Sequence, residues 1–161
     1  MENDLRRLLG DTAALFVTTF IDYYGLPPDF PGMSTRPNRS SLERARHVET
    51  AWEQQISDSR FRAYLMIHEF EALLFAKPDE LAKAVYQPDS KDKLMSIRTS
   101  FPTPEDIDDD PQNAPSKRLN RIVPAYQKTL HGPLITERIG LEVLRQECPH
   151  FREWLNWLES L

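Results

Sequence analysis

The segment Tyr64-Leu65-Met66-Ile67-His68-Glu69-Phe70-Glu71-Ala72-Leu73-Leu74-Phe75 decides how the rest of the chain folds. Nine of its twelve residues are apolar or aromatic, and the other three, His68, Glu69 and Glu71, stand together in its middle. Ala63 to Ile67 has the length and unbroken apolar character of a strand covered on both faces, as parallel strands usually are. Glu71 to Phe75 reads as a helical turn that runs on toward Pro78. His68 and Glu69 therefore fall between a strand end and a helix start, where open α/β sheets gather ligands and catalytic groups. An ionised carboxylate in an apolar wall is costly unless it is paired, hydrogen-bonded or metal-bound. Two uses are open for Glu69 and Glu71: capping the positive end of a helix, or holding a cation. A zincin centre is excluded, because the second imidazole of His-Glu-x-x-His would have to stand where this chain has Ala72.

Upstream, Thr12 to Ile21 (TAALFVTTFI) is β-branched and aromatic enough for a second buried strand. Asp22 follows it, so a carboxylate again stands at a strand's C-terminal end. The prolines at 27, 28 and 31 enforce a loop, since proline fixes φ and removes a ladder donor. Ser40 or Ser41 can cap a helix reaching about Ser57, with Leu42, Ala45, Val48, Trp52 and Ile56 at helical spacing on one face. Strand, loop, helix and strand in that order make a βαβ unit. The right-handed crossover rule then places Asp22 and Glu69 on one rim of the sheet.

Beyond Phe75 the pattern is helical. Helices are expected over Asp79–Val85, Lys91–Thr99, Ile135–Cys148 and from Pro149 to near Leu161. The fold class expected is α/β: a parallel sheet with strands near 12–21 and 62–68, and a helical C-terminal half in a single domain. The acidic run from Pro104 to Asp110 reads as a solvated loop, with a divalent-cation site as the alternative. Ser116, Lys117 and Arg118 lie where Pro115 starts a helix. Cations in a first turn oppose the helix dipole, and with free amides they form an anion site suited to phosphate. Solvated basic residues are the simpler alternative.

The net charge of −5 gives no global nucleic-acid signature. One cysteine, Cys148, excludes an internal disulfide framework and suits a reducing compartment. No stretch approaches a membrane span and the N-terminus is not signal-like, so a cytoplasmic location with no membrane partner is expected.

Five motifs in order, VTTFIDYYGLPPDFPG, IHEFEALLF, PEDI, APSKR and CPHFREWLNWLESL, resemble an uncharacterised bacterial domain family of unknown function. The likeness covers essentially the whole chain. That family is distantly similar to Toprim domains and is often encoded beside an ATPase of the ABC or SMC-like type in defence-like gene pairs. The resemblance implies a partial Toprim-like sheet and metal-dependent phosphodiester hydrolysis. It assigns Mg²⁺ to Asp22, Glu69 and Glu71, a proton-shuttle role to His68, and phosphate contacts to Ser116, Lys117 and Arg118. Two departures from the Toprim pattern matter. Tyr24 stands where a second aspartate would be, and the segment with the Val-Glu-Gly-x-Thr-Glu motif is absent. They imply weak or no cleavage by this chain alone. The implied alternative is a non-catalytic module that binds the partner ATPase. Nucleic acid is the implied substrate, and an open strand edge implies a homodimer or a complex.

Overall fold

The computed structural model describes residues 2–107 and 112–161. They divide into two compact units, residues 1–67 and 68–161. The fold is mixed α/β with small parallel strand pairs and is rich in helix.

In the first unit α1 (Glu2–Gly10) precedes β1 (Val17–Thr18) and β2 (Ile21–Asp22), then α2 (Ser41–Ile56), β3 (Phe61–Arg62) and β4 (Leu65–Met66). β1 pairs with β3 and β2 with β4, both parallel, at one constant register: Val17 faces Phe61 and Asp22 faces Met66. The two pairs are thus one ladder interrupted at its centre. Thr19 makes the interruption. Its Oγ1 accepts the Tyr64 N–H at 3.0 Å and donates to the Tyr64 carbonyl at 3.1 Å, so a hydroxyl replaces the strand backbone.

The strands are shorter than the apolar runs that announced them. Thr12 to Phe16 are not extended, because Asp11 Oδ1 takes the Ala13 N–H and folds a turn there. Arg60 secures that turn by donating to the carbonyls of Leu9, Asp11 and Ala14, which includes an orphan carbonyl at the end of α1.

α2 starts with a capping box. Ser40 Oγ accepts the Glu43 N–H, and Glu43 accepts from the Ser40 N–H. The buried face of α2, with Ala45, Val48 and Trp52, packs with Val17, Phe61, Leu65 and Ile67. A two-stranded parallel sheet is not self-sufficient in water. Here α2 completes it in two ways, by apolar cover and by two carboxylates. Glu49 Oε1 accepts the Leu65 N–H at 2.7 Å and Glu53 Oε1 accepts the Ala63 N–H at 2.9 Å. Residues four apart on a helix are separated by about 6 Å along its axis, and residues two apart on a strand by about 6.6 Å. That match lets two glutamates one turn apart stand in for a third strand.

The second unit is helical among its described residues: α3 (Glu71–Leu74), α4 (Pro78–Ala84), α5 (Lys91–Thr99), α6 (Pro115–Ile122), α7 (Lys128–Ile139), α8 (Leu141–Glu147) and α9 (Pro149–Glu159). The helix expected over 135–148 is two helices. Gly140, at φ 81°, ends α7 in a conformation that a side chain rarely adopts and redirects the chain into α8. α3 packs against α6 and α7, α4 against α5 and α7, and α8 against α9. Leu74, Phe75, Leu81, Leu94, Leu119 and Ile135 are all fully enclosed. Of the acidic run, Asp108 to Asp110 lie outside the described residues. Its first part is a single turn, and Glu105 there is buried. Glu105 takes the N–H groups of His150 and Phe151 at 2.9 Å each, so it caps α9.

Candidate functional site

Asp22 and Glu69 belong to different units. Asp22 closes β2 in the first unit, half-buried, and leads directly into a single turn of tight helix over Tyr23–Gly25. Tyr24 in that turn is half-buried as well.

The second unit opens with His68, Glu69 and Glu71, and each is held by its own surroundings. His68 is enclosed, at 1% exposure. Glu69 Oε2 accepts the Ser116 N–H at 2.9 Å. Ser116 follows Pro115 in the first turn of α6, so Glu69 places its negative charge on one of the orphan amides at that helix start. The Ser116 amide of the foreseen anion site and the carboxylate foreseen at Glu69 are thus partners in one intramolecular contact.

Glu71 is equally enclosed, at 1% exposure. Its Oε1 accepts the Tyr126 hydroxyl at 3.3 Å and its Oε2 lies 3.0 Å from Lys128 Nζ, at the start of α7. An ammonium and a phenol on opposite oxygens offset the cost of burying the charge. Burial first, and then the charge of Glu71, push the Tyr126 phenol well above its ordinary value, so it remains a donor. Packing of α3 on α6 and α7 brings Ser116 to Glu69, and Tyr126 and Lys128 to Glu71.

Lys117 is exposed, whereas Arg118 is half-buried. Arg118 Nε donates to the Asn113 carbonyl at 2.8 Å, and its guanidinium lies 5.4 Å from the Phe101 ring centre. It serves as a clamp over the loop entering α6, with a cation–π contact.

Magnesium demands a near-octahedral oxygen shell and keeps several of its own waters. At Glu71 it would compete with the Lys128 ammonium for the same oxygen. Glu69 already accepts from a backbone amide. Among the described residues no three His, Cys, Asp or Glu side chains are grouped to hold a metal ion. Glu69 and Glu71 therefore do not fit it as they are held. Among the described residues no helix is long and apolar enough to cross a membrane.

Several residues central to these contacts carry no motif. Tyr126 and Lys128 have no local signal. Glu49 and Glu53 had one: acidic residues four apart, beside Val48, Trp52 and Ile56 on a face otherwise built for burial.

A family model described as a domain of unknown function (DUF4276) matches residues 1–159. No curated protein and no solved structure matches the chain.

Proposed function

This chain belongs to the DUF4276 family, and we propose that it acts as a non-catalytic interaction module that docks onto an ATPase of the ABC or SMC-like type in the cytoplasm. One observation carries the reading: two of the three acidic residues that resemblance to Toprim domains gives to a metal, Glu69 and Glu71, are engaged by protein donors. Glu69 holds the start of α6, and Glu71 sits between Tyr126 and Lys128. Such residues stabilise the scaffold, and among the described residues no three His, Cys, Asp or Glu side chains are grouped to hold a metal ion. The run before β2 supplies a docking surface, with Leu15, Phe16 and Phe20 at 75%, 46% and 40% exposure. Exposed apolar groups of this size are common at protein contacts.

The test is co-expression with an ATPase of the ABC or SMC-like type from the same gene neighbourhood, followed by size-exclusion chromatography. Co-elution lost in Leu15→Ser/Phe16→Ser, with the variant still folded, supports the reading. Co-elution unchanged by the pair, or no complex with the wild-type chain, overturns it.

A second, nuclease-related reading is favoured by Asp22, a carboxylate at the C-terminal end of a parallel strand. In that reading the chain is a Toprim-like fragment that needs further donors to act on nucleic acid. Robust Mg²⁺-dependent nicking by the purified chain, abolished by Asp22→Asn, would establish it over the docking reading.

A further inference from the structure

We propose that a groove along the N-terminal half of α2 binds phosphate groups. It is an open, shallow groove of about 440 Å³ lined by Pro37, Arg39, Glu43, Arg46, His47 and Thr50, all in the first unit. Ligand pockets generally span about 300–1,000 Å³, so it admits more than a single ion.

The lining follows from helix periodicity. Glu43, Arg46, His47 and Thr50 lie three or four residues apart and so share one face of α2, while Pro37 and Arg39 come from the loop that enters it. One wall is fixed from behind. His47 Nε2 lies 2.9 Å from Thr35 Oγ1, which itself lies 3.4 Å from the Gly32 carbonyl. Gly32 permits this closeness. It has φ 79°, and a Cβ there would lie 2.8 Å from the Ala51 Cβ and 3.4 Å from the His47 ring.

Charge decides the ligand class. The one acid in the groove, Glu43, already accepts from the Ser40 N–H and hydroxyl and from Arg39 Nη1 at 3.0 Å. Those bonds, the Ser40 hydroxyl foremost, hold its carboxyl below the ordinary value, so it remains a saturated anion. Arg39 keeps 68% of its side-chain surface and Arg46 is exposed. Two guanidiniums and the Thr50 hydroxyl supply donors. Planar guanidinium forks suit phosphate oxygens. Lys117 and Arg118 belong to the second unit, where Arg118 is committed to Asn113 and Phe101.

The experiment titrates the full chain with pyrophosphate by calorimetry, and with a labelled single-stranded oligothymidylate of about 12 nucleotides by anisotropy across salt concentrations. Arg46→Ala/His47→Gln should weaken binding about tenfold or more, and reduce the salt slope by about 0.7 for each cation lost on a single strand. Lys117→Ala serves as the control and should leave both quantities unchanged. Comparable binding of both probes marks a phosphate ester as the ligand, whereas oligothymidylate binding alone marks a nucleic-acid backbone. If neither probe binds, if the double variant keeps wild-type affinity and slope, or if Lys117→Ala matches its loss, the groove is not a phosphate site.

Discussion

Glu69 and Ser116 are joined by a 2.9 Å hydrogen bond from a backbone amide to a carboxylate, across 47 residues of sequence. One contact therefore accounts for both the acidic residue after β4 and the helix start that seemed ready for an anion. Glu69→Ala should lower stability by about 1–2 kcal/mol, the usual cost of losing a helix N-terminal acceptor. Glu69→Gln keeps an acceptor oxygen and should recover much of that loss. Urea unfolding checks both variants. A Glu69→Ala protein as stable as wild type would remove the capping role and reopen a metal or substrate role.

Thr19 should behave as backbone rather than as side chain. Thr19→Val removes a donor and an acceptor together and leaves the Tyr64 amide and carbonyl without this partner, at a cost of about 2–4 kcal/mol. Thr19→Ser, which retains the hydroxyl, should lose well under half of that. Comparable losses in the two variants would mean that the methyl group, and not the hydroxyl, is what the ladder requires.

Glu49 is expected to act as a lock on the sheet edge. Its carboxylate receives a 2.7 Å bond from Leu65 and is itself only 7% exposed. Glu49→Ala should cost about 2–3 kcal/mol, because a charge-assisted bond to a buried amide is lost. It should also raise self-association, since an opened edge recruits strands. Light scattering reads this out. A destabilised variant that remains as monodisperse as wild type would refute the edge argument while leaving the hydrogen bond intact.

Stability should fall with rising pH through Glu105. Burial, acting against the two amide bonds from His150 and Phe151, raises its carboxyl above the ordinary 4.5. A group with a raised folded pKa takes up protons on folding. Its contribution is fully present below pH 4.5 and is lost as pH rises through the raised value. Glu53 is raised as well, chiefly by burial, and acts in the same direction. Glu105→Gln should therefore lower stability at acid pH yet flatten its decline between mildly acid and neutral pH. Urea midpoints for the two proteins across that range test it, and parallel profiles would show that Glu105 does not titrate there.

Much of the framework was legible in the chain itself. The βαβ order, the helix at 41–56 and the helix at 91–99 follow from apolar periodicity, capping residues and prolines. These are short-range signals, and a residue's neighbours in sequence carry them. Strand limits were less legible. Apolar β-branched residues ran on into 12–16, where the Asp11 side chain and Arg60 fold a turn instead. The split at Gly140 depends on one residue's backbone angle, which the hydrophobic pattern of 135–148 does not register.

What the carboxylates do was decided by tertiary structure alone. Glu49, Glu53, Glu69, Glu71 and Glu105 find their partners 10 to 57 residues away, on amides, a phenol and an ammonium that no local pattern marks. A glutamate in an apolar setting announces only that its charge must be answered. Whether the answer is a metal ion or a helix amide depends on which chain segment packing brings within 3 Å or so, about the length of a hydrogen bond.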